Sequence, residues 1–82
     1  MPLIQVKLIE GVFTAQQKKD IITRLTDAMV SIEGEPLRPF TTVVIEETRS
    51  GDWGIGGQSM TTEAVHALAT GPREFAAGRV QG

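Results

Sequence analysis

From the second residue to the ninth, side chains alternate between two faces, with Ile4, Val6 and Leu8 on one and Leu3, Gln5, Lys7 and Ile9 on the other. This two-residue period predicts a strand over 2–9 with one fully apolar and one mixed face. Glu10-Gly11 ends the run, and Thr14-Ala15-Gln16-Gln17 then has the form of a capping box, in which Thr and Gln side chains accept backbone N–H groups at a helix start. Within the helix that follows, Ile21, Ile22, Leu25, Ala28, Met29 and Ile32 recur at spacings of three and four. Lys18, Lys19, Thr23, Arg24, Thr26 and Asp27 lie opposite, so the helix is expected to rest its apolar side on a sheet. Gly34 suits a left-handed helix terminus and Pro36 and Pro39 oppose continuation, which makes 34–39 a connection. The β-branched run 40–47 (FTTVVIEE) predicts a second strand.

Strand, helix and strand in this order form a right-handed βαβ unit with its strands parallel, and so an α/β fold. One helix covers one sheet face. The other face and the strand edges then need covering by something else, most economically by copies of the same subunit. Between Ser50 and Gly57 the glycines at 51, 54, 56 and 57 permit a tight turn or short hairpin. Ala64, Val65 and Leu68 at helical spacing predict a short second helix over 61–69, and 71–82 has too few apolar residues to pack alone. The reading is one domain over 1–82, with 2–60 as the βαβ core plus hairpin and 61–82 as a short helix and tail.

Length adds pressure toward assembly, because a domain of 82 residues buries a small share of its surface. Without cysteine there are no disulfides, and the one histidine, His66, cannot build the usual nitrogen and sulfur metal site. Oligomerisation is the remaining common stabiliser. No apolar run approaches the roughly 20 residues that cross a bilayer. MPLIQVKLIE lacks the form of a signal peptide, so a soluble, cytoplasmic protein is the default expectation. A net charge of −2 with acids and bases interspersed offers no basic face for nucleic acid.

Function then rests on a small, discrete site. Pro2 follows the initiator methionine, a small residue that normally permits methionine removal, and would present a secondary amine at the chain start. An α-amino group has a reference pKa of about 7.7 to 8.0, and an apolar pocket lowers it further, leaving a neutral base that can take a proton from carbon. Trp53 is the second candidate, a large aromatic among glycines that let backbone approach a ligand; the alternative is packing over a neighbour's helix. The glycine run has neither phosphate-loop spacing nor a following lysine, so it makes a weak phosphate cradle. His66 and Glu63, a helical turn apart, read as a solvent-facing pair. Glu46 and Glu47 are neighbours in a strand and point to opposite faces, so at most one is near chemistry.

Taken together, Pro2-Leu3-Ile4-Gln5, Leu8-Ile9-Glu10-Gly11, the helix start Gln16-Gln17-Lys18, and Gly51-Asp52-Trp53-Gly54-Ile55-Gly56-Gly57 resemble the 4-oxalocrotonate tautomerase family. The resemblance implies a βαβ subunit that pairs into a dimer with a four-stranded sheet, three dimers forming a hexamer around a barrel of sheets. It also implies a small-molecule substrate, no cofactor, and an amino-terminal proline that shuttles a proton between enol and keto forms. Trp53 falls where the family has an aromatic pocket wall, and Ile9 where a neighbour's backbone lines the pocket.

Two departures accompany the resemblance. Members acting on dicarboxylates carry arginine directly after Glu-Gly, here Val12, and another near the start of the second strand, here Thr42. Without them a diacid loses its bidentate anchor. Arg38 and Arg49, on either side of the second strand, are the nearest candidates for a replacement cation, although a solvated surface role is the favoured reading for each. The reading is a cofactor-independent tautomerase with Pro2 as acid and base on a small 2-oxo or enol acid. The alternatives are hydration or dehalogenation of an unsaturated acid by a protonated Pro2, and a non-catalytic binding oligomer of the same fold.

Overall fold

The computed structural model describes residues 2–70, and the expected tail at 71–82 lies outside them. Strand β1 (Leu3–Ile9) leads through a Glu10-Gly11 turn to helix α1 (Ala15–Glu33). A 3-10 helix (Glu35–Phe40) follows, then strand β2 (Thr42–Thr48), a hairpin of β3 (Trp53–Ile55) and β4 (Gln58–Met60), and helix α2 (Thr62–Thr70). β1 and β2 are parallel, in a register running from Leu3 opposite Thr42 to Ile9 opposite Thr48.

The helix start is the capping box read from the sequence. Thr14 Oγ1 accepts the Gln17 N–H at 3.1 Å and Gln17 Oε1 accepts the Thr14 N–H at 2.9 Å, so two donors that the helix leaves free are satisfied reciprocally. Thr14→Ala is expected to lower stability by about 1 kcal/mol, seen as a lower urea midpoint at unchanged slope. At the other end Gly34, with φ of 106°, caps the helix and donates to the Val30 carbonyl at 2.8 Å.

Two sequence expectations are corrected here. The connection is a 3-10 helix that runs to Phe40, because Pro36 sits in its first turn, where a missing N–H costs nothing; β2 therefore begins at Thr42. The inward side of α1 also differs. Val30 is buried and Ile21, Leu25, Thr26 and Met29 are half-buried, whereas Ile22 and Ala28 are exposed and Ile32 is 84% exposed. Two strands about 4.8 Å apart are narrower than a helix about 10 Å across, so they cover only part of its apolar stripe.

α1 packs against β2 and the 3-10 helix. Ile9 and Val30, at 6% and 5% exposure, are the buried apolar residues among those described, while Leu3 and Phe40 are more than half exposed. The hairpin turn at Gly56-Gly57 has φ of 58° and 83°, both left-handed, as a two-residue turn with the twist of its strands requires.

Candidate active site

The residues singled out by the sequence fall into two groups at opposite ends of β1. Pro2 is half-buried and its carbonyl accepts the Thr42 N–H at 3.1 Å, so the sheet ladder fixes the residue immediately before β1. Thr42 is exposed and stands beside it, and the Thr41 N–H donates to the carbonyl of Arg38 at 3.1 Å. Pro2, Thr42 and Arg38 thus share the amino-terminal end of the strands.

Ile9, Val12 and Trp53 meet at the other end. They line an apolar cleft of about 310 Å³ together with Phe13, Met60 and Leu68. A closed set of hydrogen bonds brings the hairpin here: the Ser50 N–H donates to the Glu10 carboxylate at 3.2 Å, the Thr62 N–H to Ser50 Oγ at 2.9 Å, and Thr62 Oγ1 to the Glu10 carbonyl at 2.5 Å. Gly11 makes the closure feasible. Its φ is 78°, and a Cβ there would lie 3.1 Å from Thr62 Cγ2, so both backbone angle and space favour glycine. Glu10-Gly11 is therefore the hinge point from which Trp53 is positioned.

β1 spans 7 residues, and at about 3.3 Å per residue its two ends stand roughly 20 Å apart. Within one chain Pro2 and Trp53 do not share a pocket. Trp53 is half-buried and lines the cleft of its own subunit.

Of the two replacement arginines, Arg38 is already engaged. Its Nε and Nη2 donate to the two carboxylate oxygens of Glu35 at 3.0 and 2.9 Å, and Nη1 to Asp27 at 2.8 Å. Hydrogen bonding to Glu35 and then to Asp27 holds the guanidinium even more firmly charged than usual, and the same bond lowers the Glu35 carboxyl below its ordinary value. Donors committed in this way fit a surface clamp between α1 and the 3-10 helix, in keeping with the surface role favoured from the sequence. Arg49 is exposed, makes no ion pair among the described residues, and lies at the Trp53 end, where its carbonyl accepts the Asp52 N–H at 2.9 Å.

The carboxylate pair divides as expected. Glu46 meets Lys7 at 2.7 Å, directly opposite it in the register, and Glu47 meets Lys18 of α1 at 3.1 Å on the helix-covered face. His66 and Glu63 are both exposed but form no ion pair with one another. Sequence reasoning left Phe13, Met60, Val65 and Leu68 unassigned to the site.

Residues 2–63 match the family described as "Tautomerase enzyme". A probable tautomerase of Dickeya dadantii is 40% identical over 62 residues, which is 74% of this chain and 90% of that protein. The 2-hydroxymuconate tautomerase of Pseudomonas putida is 39% identical over 59 residues, covering 72% and 90%. Among solved structures, apo unfused 4-OT superposes with a TM-score of 0.65 at 35% identity over 72% of this chain and 93% of its own. TomN, a 4-oxalocrotonate tautomerase homologue of tomaymycin biosynthesis, gives 0.65 at 32% identity, covering 84% and 97%. With the βαβ unit, the hairpin and the matched span in agreement, the chain belongs to the tautomerase family and is an isomerase.

Proposed function

We propose that the protein moves a proton between the enol and keto forms of a small 2-oxo acid, with the amine of Pro2, freed by removal of Met1, as base and then acid. The observation that carries this reading is the anchoring of Pro2: its carbonyl is tied to Thr42 at the first rung of the sheet, so an amine on that residue has a defined position. Orientation of this kind is what an acid-base group needs to act on one carbon atom.

The apolar wall comes from another copy. Pro2 and Trp53 stand at opposite ends of β1, β1 pairs with β2 alone among the described residues, and Leu3 and Phe40 expose apolar surface. A hexamer whose sheets form a barrel covers that surface and sets one copy's Trp53 against another's Pro2. Enclosure by Trp53 and Ile9 disfavours the charged amine and lowers its pKa, leaving a neutral base near pH 7. Titration of the ¹⁵N-labelled Pro2 amine tests the mechanism. The expected result is a pKa well below that of a free α-amine, with turnover rising as pH climbs through it. A raised value favours hydration by the protonated amine, and an ordinary value favours a binding oligomer.

A further inference from the structure

We propose that α2 completes an apolar subsite, selecting through Leu68 for substrates that carry an uncharged ring or chain beyond the enol carbons. This deepens the tautomerase reading by naming its substrate class. The family match ends at residue 63, so most of α2 lies beyond the matched span, yet Val65 and Leu68 from this helix line the same cleft as Ile9 and Trp53. Val65 is half-buried, whereas Leu68 is not consumed by the subunit's own core. Leu68 is 67% exposed at the mouth of the cleft, and α2 touches the rest of the subunit only sparsely.

Size and charge both indicate the occupant. A sealed apolar cavity of about 150 Å³ accepts benzene, and this open cleft of about 310 Å³ has room for a ring and its linker to the reacting carbons. Among the described residues, the one charged side chain in its lining is Lys7, whose Nζ donates to Glu46 at 2.7 Å. A carboxylate entering the cleft would give up water without gaining a free cation, whereas a ring gives up nothing it needs.

Trp53 is the protein's one tryptophan and reports directly on the cleft. Its emission is to be followed while the protein is titrated with phenylpyruvate and, separately, with 2-oxoglutarate, for the unaltered chain, Leu68→Ala and Leu68→Asp. Phenylpyruvate is expected to bind about tenfold tighter than 2-oxoglutarate. Leu68→Ala is expected to weaken phenylpyruvate severalfold and Leu68→Asp to abolish its advantage, with 2-oxoglutarate little changed. Equal affinity for the two acids, or an unaltered advantage in both variants, overturns the proposal. So does a change in sedimentation on substituting Leu68, which assigns the cleft to a contact between copies. The readout is equilibrium affinity, whether or not proton transfer follows, so its outcome is independent of whether Pro2 is the base.

Discussion

Protein that retains Met1 is expected to lose enol-keto turnover by about 10²- to 10⁴-fold, the usual worth of a positioned acid-base group. In that form the Pro2 nitrogen belongs to a peptide bond and its lone pair is delocalised, so it is no base. The methionine's own amine begins one residue away from the position that the Thr42 contact fixes. The fold should be unaffected, because ordered pairing starts at Leu3 opposite Thr42. Mass spectrometry of the amino terminus, circular dichroism and a phenylenolpyruvate assay on the same two preparations separate the cases. Equal turnover with and without Met1 would remove Pro2 from the mechanism.

Mixing two damaged forms should restore activity that neither parent has. One parent retains Met1 and so lacks the amine; the other carries Trp53→Ala and so lacks the apolar wall, with turnover expected to fall about tenfold or more as the amine becomes easier to charge. Because the two groups occupy opposite ends of β1, a site built from different copies regains both whenever it draws one from each parent. Random assembly at equal ratio yields about one quarter of such sites. Unfolding and refolding the parents together should therefore give more activity than the Trp53→Ala parent alone supplies. A mixture no more active than the average of its parents would place both groups in one copy and sink the shared-pocket reading.

Much of the scaffold is written in local pattern. The alternation at Ile4, Val6 and Leu8, the Thr14-Gln17 cap and the Gly56-Gly57 turn each rest on residues close in sequence, and each matches an observed element. The misreadings arise where local rules compete or tertiary width intervenes. Pro36 can end a helix or open one, and here it opens the 3-10 helix that delays β2. Ile32 fits the α1 stripe by spacing but lies outside what two strands cover, while the omitted Val30 is buried. Pro2, Ile9 and Trp53 were recognisable as candidates, and counting along the strand already separates the first from the others. The cleft was not legible, because Phe13, Met60 and Leu68 converge only once Glu10 and Thr62 have tied the hairpin to the end of β1. Nor was the engagement of Arg38, which depends on the chain folding back after α1 to meet Asp27, eleven positions earlier.

With Ile9 and Val30 as the buried apolar residues among those described, one subunit shields very little from water, and in the proposed assembly association would contribute much of the cohesion that a larger core supplies. Where folding and association are one equilibrium, cohesion depends on abundance: each tenfold rise in protomer concentration favours the assembled state at the expense of the dissociated, unfolded chain. The temperature at which the protein melts then becomes a property of the solution as well as of the sequence. A dilute sample is then expected to unfold at a lower temperature than a concentrated one, which melting curves at two protomer concentrations check.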